Sequence, residues 1–482
     1  MSSNIPEEYF AYIIETNVLP LIPVALKGNI ICKSDLDQYS IKPNDRIVQI
    51  IDFENTRQLL FAPHQNKTDY YYKAPLSPLI TTSVSISTAT QVLEEILSTI
   101  RRTNLDFSYS GSKFYLNSLC NTATTIGICK KITPSQNNAY TLAQIISALE
   151  KWALKTYEGR KIPFGIIVDF NQNTPQSGCQ NYIDFLDSKY SATFTDGVFS
   201  AIILNSVGQI LQHVALPNPN SIKKITREKL TKHSHKQIIS PERFKGFSEL
   251  CGQSRIGCIA LSSGDILLIQ GQELSFAKRE GTWIEYGYSA FFRPCMEPIF
   301  LFSGTRGRSN ATVDRLAKCV YLSILDASFA HTGACIAVVD FRKNSEELKD
   351  ILHNCLIDED LNHEDSSLST LNNAQFNSMK MKQDIIRQLV SFSRNKKKQA
   401  LSFSSLSNKL RTEFLGMDGA VIIDRRGIVR SVGAILTIKP GSEEGGRMAA
   451  ARKLSDYGVA IKVSEDGGIT GLWKGKIVFH FG

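Results

Sequence analysis

The chain has 482 residues, long enough for several hydrophobic cores and, by length alone, for roughly three domains. With 42% hydrophobic and 21% charged residues it is not a disordered chain. The net charge of +9 suits a polyanionic ligand such as a triphosphate or nucleic acid, and suits equally a surface that is merely soluble.

The ten cysteines are scattered singly, with no pair at the close spacing of a zinc knuckle or redox motif. Buried, reduced thiols are the simplest account, and they suit an intracellular protein. The eight histidines are dispersed as well, and His233 and His235 sit among lysines rather than acids, which argues against a histidine metal site. The first residues lack the basic start and apolar core of a signal peptide. The longest apolar runs, such as Asn17 to Leu26, are too short and proline-broken to span a bilayer. The cytoplasm is the expected compartment, with no membrane partner.

Residues 1–155 read as an α/β domain without a chemistry-bearing motif. Ile47 to Asp52 predicts a buried strand, Thr88 to Arg102 a helix with Val92, Ile96 and Ile100 on one face, and Thr141 to Tyr157 a second helix. Residues 156–310 read as strand-rich. Pro163 to Asp169, Phe194 to Val198 and Ala201 to Leu204 predict strands. Lys223, Lys224, Arg227, Lys229, Lys232 and Lys236 then form a basic stretch, which is either a nucleic-acid contact or, more commonly for lysine runs, a solvated arm. Ile256 to Leu261, the turn Ser262-Ser263-Gly264-Asp265 and Ile266 to Ile269 read as a hairpin.

Residues 311–482 open with the helical face Leu316, Val320, Ile324 and Leu325, followed by the apolar strand Gly333 to Asp340. Residues 344 to 375 are acid-rich and predict a surface insertion, and Lys396-Lys397-Lys398 a solvated cluster. Beyond Leu410 a helix runs into Asp418-Gly419-Ala420 and a strand to Asp424, then the turn Arg425-Arg426-Gly427 and the strand Ile428 to Ile435. Gly445-Gly446-Arg447 opens a further helix, and Ala460 to Ile469 predicts a strand and tight turn. The alternation argues for an α/β fold with a mixed β-sheet flanked by helices.

The chemistry is concentrated in this last region. A glycine pair at a helix start lets backbone N–H groups approach an anion, and Arg447 adds a bidentate phosphate partner. Asp418, beside Gly419, is placed to hold a divalent metal or polarise a ribose hydroxyl, and Ser464 with Glu465 to complete such a site. Each residue taken singly is also a common turn or cap residue.

In order, these segments resemble the diadenylate cyclase family, which includes the DNA-integrity scanning protein. Asp418-Gly419-Ala420 is similar to that family's Asp-Gly-Ala, and Val463-Ser464-Glu465 to its Val-Ser-Glu at a strand end. The family's middle motif, Gly-Thr-Arg-His-Arg-Ala-Ala, is altered. Gly446 stands in place of threonine, Met448 of histidine and Ala449 of the second arginine, so that only Arg447 remains. The resemblance covers 311–482. It implies a diadenylate cyclase-like domain in which Asp418, Gly419, Ala420, Gly445, Gly446, Arg447, Ser464 and Glu465 bind nucleotide, Asp418 and Arg447 serve catalysis, and Asp418 and Glu465 hold Mg²⁺ or Mn²⁺. It also implies a reaction in which the 3′-hydroxyl of one ATP attacks the α-phosphate of another, giving cyclic di-AMP and pyrophosphate.

Losing the guanidinium and the imidazole favours a non-catalytic sensor of ATP, cyclic di-AMP or a related nucleotide, in second-messenger signalling or bacterial defence. The intact Asp418 and Glu465 keep an active cyclase in view, with Arg452 and Lys453 as candidates to restore the charge. A third reading is an interaction protein whose pocket is filled by Met448. The middle region also echoes the last one. Gly165 to Asp169 parallels Gly333 to Asp340, Asp196-Gly197-Val198 parallels Asp418-Gly419-Ala420, Arg243 parallels Arg447, and Ser263 to Ile266 parallels Asp466 to Ile469. Such a duplication would allow an intramolecular pseudo-dimer in place of a homodimer.

Overall fold

The computed structural model describes residues 5–38, 46–53, 56–64, 69–77, 86–103, 105, 107, 112–172, 178–188, 191, 194–217, 241–252, 254–287, 292–303, 311–341, 345–352, 401–436 and 445–481. The basic stretch 223–236, the acidic residues from Asp358 onward and Lys396-Lys397-Lys398 lie outside them. The chain forms two compact units, one reaching Pro294 and one beginning at Cys295. The regions read as 1–155 and 156–310 fall largely in the first. Among the described residues no helix is long and apolar enough to cross a membrane, and every cysteine is a free thiol.

The first unit opens with an antiparallel sheet of β1 (Asn29–Cys32), β2 (Val48–Phe53), β3 (Thr56–Phe61) and β4 (Tyr70–Pro75), in the order β1-β4-β3-β2. Of these only β2 was expected. In β3 the buried residues run together from Gln58 to Phe61 instead of alternating, so no strand period announces it. Three helices follow, Ser87–Thr103, Ser112–Ile132 and Gln136–Ala153. The first buries Val92, Leu93, Ile96, Leu97 and Ile100, as its spacing predicts. The second had no sequence signature, because Asn, Ser and Thr are spread round most of its circumference. The third starts at Gln136 and not at Thr141, since the Ser135 side chain accepts from Asn138 N–H and caps it. It ends at Ala153, and Thr156–Tyr157 (β5) pairs instead with Arg160–Lys161 (β6) in a small hairpin.

The rest of this unit is a seven-stranded mixed sheet of β7 (Phe164–Asp169), β8 (Ser200–Asn205), β9 (Ile210–Ala215), β10 (Arg255–Ala260), β11 (Ile266–Gln270), β12 (Glu273–Arg279) and β13 (Thr282–Glu285). Its order is β9-β8-β7-β10-β11-β12-β13, with β7 and β8 parallel and all other pairs antiparallel. All six residues of β7 are buried, as expected for a central strand covered on both faces. Phe194 to Val198 is not a strand. The Asp196 carboxylate accepts the N–H groups of Val198, Phe199 and Ser200 and folds the segment into a turn.

The second unit is a six-stranded mixed sheet of β14 (Ala334–Val339), β15 (Ala420–Asp424), β16 (Val429–Ala434), β17 (Gly458–Val463), β18 (Ile469–Trp473) and β19 (Lys476–Phe481). Its order is β16-β15-β14-β17-β18-β19, with β14 and β15 parallel and every other pair antiparallel. The helix Ala311–Phe329 precedes β14, Asn408–Gly416 precedes β15, and Gly446–Ser455 precedes β17. One face of the sheet packs under the last of these through Ala337, Ala420, Ile422, Ala451, Leu454, Ala460 and Leu472.

Six strands of the first sheet, all but β13, repeat the order and directions of the second. The match reaches single residues. Ala260 pairs with Ile266 across the turn Leu261–Asp265, where Leu261 N–H donates to Asp265 O. In the second unit Val463 pairs with Ile469, and Ser464 N–H donates to Gly468 O. The β-bulge at Leu268/Ile269 recurs at Gly471/Leu472. Asn205 closes the β8–β9 turn by accepting from Val207 and Gln209 N–H, as Asp424 accepts from Arg426 and Ile428 N–H. The strand order is thus repeated between the two sheets, and two of the expected alignments are moved. By strand register Gly165 stands at the place of Cys335, and Ala201, not Val198, at that of Ala420.

Candidate functional site

A cleft of ≈ 660 Å³ lies at one end of the second sheet, where the helix Gly446–Ser455 begins. Four segments converge on it: Asp418 and Gly419 before β15, Ala434 to Leu436 at the end of β16, Gly445 to Ala450, and Lys462 to Asp466 at the end of β17. Cys335 of β14 forms part of its floor. Of the eight residues read from the sequence, Asp418, Gly419, Gly445, Gly446, Arg447, Ser464 and Glu465 line this one space. Ala420 does not; it is fully buried in the core beneath.

Local structure explains the convergence. Gly419 has φ 103°, and a Cβ there would run into the backbone of Gly433 and Ala434, so β15 starts in contact with the end of β16 only because this residue is glycine. Gly433, itself at φ 65°, sits in a second bulge beside the cleft. Gly445 is the N-cap residue of its helix, and neither it nor Gly446 would bring a Cβ against any neighbour. The start of that helix borders the cleft, and a helix N-terminus is a usual anion position.

Arg447 lies across the start of β14. Its guanidinium occupies the place a side chain at Gly333 would need, and its Nη1 donates to Glu465 Oε1 at 3.0 Å. Its Nε is buried without an acceptor. Glu465 itself is exposed, whereas Ser464 Oγ and N–H both bond Gly468 O, and Asp466 Oδ1 accepts Gly468 N–H. Ser464 is therefore first a turn residue. Among the described residues no group of three or more His, Cys, Asp or Glu side chains is arranged to hold a metal ion.

Arg452 and Lys453 do not restore charge to the cleft. Arg452 Nη1 donates to Gly475 O, and Lys453 Nζ lies over the Tyr457 ring, both away from the lining. Residues spaced five and six along a helix from Arg447 cannot all face one pocket at its start. Met448 lines the cleft and packs against the core, yet leaves the space open.

Sequence reasoning missed Cys335, Lys462 and Asp466 as lining residues. Lys462 lies directly opposite Cys335 on one side and Thr470 on the other, and Thr470 in turn opposite His480. Such a cross-strand row exists only once the register is known. Thr470 Oγ1 and His480 Nδ1 are 2.9 Å apart, and burial, then the nearby Lys462 charge, hold the His480 pKa below its usual value. Burial pushes the Cys335 thiol up to about 12 despite Arg447 nearby, so it is not a nucleophile at neutral pH.

The cleft can thus offer helix N–H groups and a guanidinium to an anion, a lysine and an aspartate to polar groups, and apolar walls to a ring. No protein-family model matches this chain, and no curated protein matches it.

Proposed function

We propose that the second unit is a purine-nucleotide-binding module of the diadenylate cyclase fold, acting as a non-catalytic sensor of ATP, cyclic di-AMP or a related nucleotide. One observation carries the reading. Three segments far apart in sequence, Asp418-Gly419, Gly445-Gly446-Arg447 and Ser464-Glu465, line a single open cleft at a helix N-terminus. A pocket filled by Met448 is a poor description of a space of ≈ 660 Å³.

The chemistry favours binding over turnover. Phosphoryl transfer relies on positive charge at the leaving phosphates. Among the described lining residues only Arg447 and Lys462 are cationic, and Arg447 is engaged by Glu465. The second reading, an active diadenylate cyclase, is favoured by Asp418 and Arg447 sharing the cleft. Mg²⁺ needs only one or two carboxylates beside phosphate oxygens, and Asp418 is the residue that would hold it, with Mn²⁺ treated alike. Such an ion would neutralise developing phosphate charge. Asp418 and Arg447 would do the positioning.

The test is incubation of the full chain with ATP and Mg²⁺ or Mn²⁺, with products and retained ligand read by mass spectrometry. Nucleotide retained without turnover is the expected result. Cyclic di-AMP formed by the wild type and not by Asp418→Ala would establish the enzyme instead. Unchanged affinity in both Asp418→Ala and Arg447→Ala would remove the site from this cleft.

A further inference from the structure

The lining of the cleft carries a charge pattern that the nucleotide reading does not use. Two cations, Arg447 and Lys462, face three carboxylates, Asp418, Glu465 and Asp466, among the described lining residues. Glu465 is the member whose position calls for an explanation. It is exposed, takes no part in the hydrogen bonds of the Ser464–Gly468 turn, and reaches back to Arg447 at 3.0 Å. Arg447 is confined on its other side by Gly333, where no side chain would fit. The guanidinium is thereby held at the cleft with one edge already given to a carboxylate.

We infer that Glu465 is a charge filter: it admits ligands whose phosphates each carry one charge, such as the phosphodiesters of a cyclic dinucleotide, and disfavours nucleoside triphosphates. The inference rests on the nucleotide-cleft reading above and narrows its ligand class. A phosphodiester needs one guanidinium edge and the helix N–H groups, which this cleft supplies alongside an intact Arg447–Glu465 pair. A triphosphate tail, ending in a doubly ionised phosphate, must either displace Glu465 or sit beside it and Asp466 uncompensated. Like-charge juxtaposition of this kind is a common device for rejecting a near-cognate ligand. With Met448 and Ala449 in place of cationic or imidazole side chains, nothing on that first turn adds to Arg447.

The experiment is calorimetric titration of the full chain with cyclic di-AMP and, separately, with ATP without divalent metal, at low and moderate ionic strength. The wild type is expected to bind cyclic di-AMP at least about tenfold more tightly than ATP. Salt should narrow the gap by screening the repulsion. Glu465→Gln keeps a hydrogen-bond acceptor for Arg447 and is expected to narrow the preference for cyclic di-AMP over ATP about fivefold. Asp466→Asn, whose amide oxygen can still accept Gly468 N–H, serves as a second charge-removing variant and should act in the same direction. ATP binding as tightly as cyclic di-AMP, or a preference unmoved by both variants, overturns the filter and leaves the nucleotide site standing. No binding of either nucleotide overturns the nucleotide reading itself, and binding indifferent to both Asp418→Ala and Arg447→Ala removes it from this cleft.

Discussion

The first unit repeats the strand order of the second and adds β13 at one edge, but it packs the matching strands differently. Where the second sheet has Cys335 and Ala460, the first has Gly165 and Gly257. Gly257 makes room for Phe247, from the short helix Lys245–Leu250, which is fully buried, and Gly165 makes room first for the backbone of Gly197 and then for the Phe247 ring. A Cβ at Gly257 would collide with Phe247 Cε1 and Cys251 Sγ. The polar lining is replaced in register as well, with Ile259 at the place of Lys462 and Leu261 at that of Ser464. Arg243, expected to match Arg447, belongs to the turn Glu242–Phe244 and lies over the ring of Phe244. One topology thus serves two ends. Burying Phe247 contributes about 2 to 3 kcal/mol to the first unit.

The comparison can be broken at its seal. Gly257→Leu should cost about 3 kcal/mol by overpacking against Phe247, read as a fall in the urea midpoint. An unchanged midpoint would show that Phe247 does not seal this sheet. The next effect concerns β13, which has no counterpart in the second sheet. Burial pushes its Glu285 carboxyl up to about 7, with Thr88 and Lys131 pulling the other way. The folded state then keeps a proton that the unfolded chain releases. Stability should be greatest below about pH 4.5, fall as pH rises to about 7 and level off above it, by on the order of 2 kcal/mol from this group. Glu285→Gln should remove that slope in denaturation curves measured across the interval.

Smaller effects sharpen the open half. Arg447→Ala should weaken nucleotide binding about tenfold, some 1.4 kcal/mol, with the melting temperature little moved. Gly333→Ala pushes only on the flexible end of Arg447, so it should lower affinity about fivefold, near 1 kcal/mol, without a folding defect. A large loss of stability there would mean that Arg447 is a structural strut. Ala460→Gly, the counterpart of Gly257, should cost under about 1 kcal/mol, through backbone entropy and one lost methyl contact.

Much of this was legible in the chain. The long amphipathic helices, the fully apolar strands β7 and β14, and the hairpin turn at Ser263-Gly264-Asp265 announce themselves by period, by uninterrupted hydrophobicity or by turn chemistry. The helix Ser112–Ile132 did not, because its polar residues spread round the cylinder and give it no single apolar face. Phe194 to Val198 was misread because Asp196 outcompetes the strand ladder with local side-chain bonds.

For the site, the sequence by itself determined which residue types sit at chain reversals and helix starts: Asp418 with Gly419, Gly445 and Gly446 with Arg447, and Ser464 with Glu465. These are local choices, set by backbone conformation and by the chemistry of neighbouring residues. Only the tertiary structure decided that the three segments meet. It turned Arg452 and Lys453 away, joined Arg447 to Glu465, and set Phe247 against Gly257 in the other sheet. The physical reason is that strand register and close packing are collective. A side chain's direction and the room left beside it depend on residues distant in sequence, and no local pattern contains them.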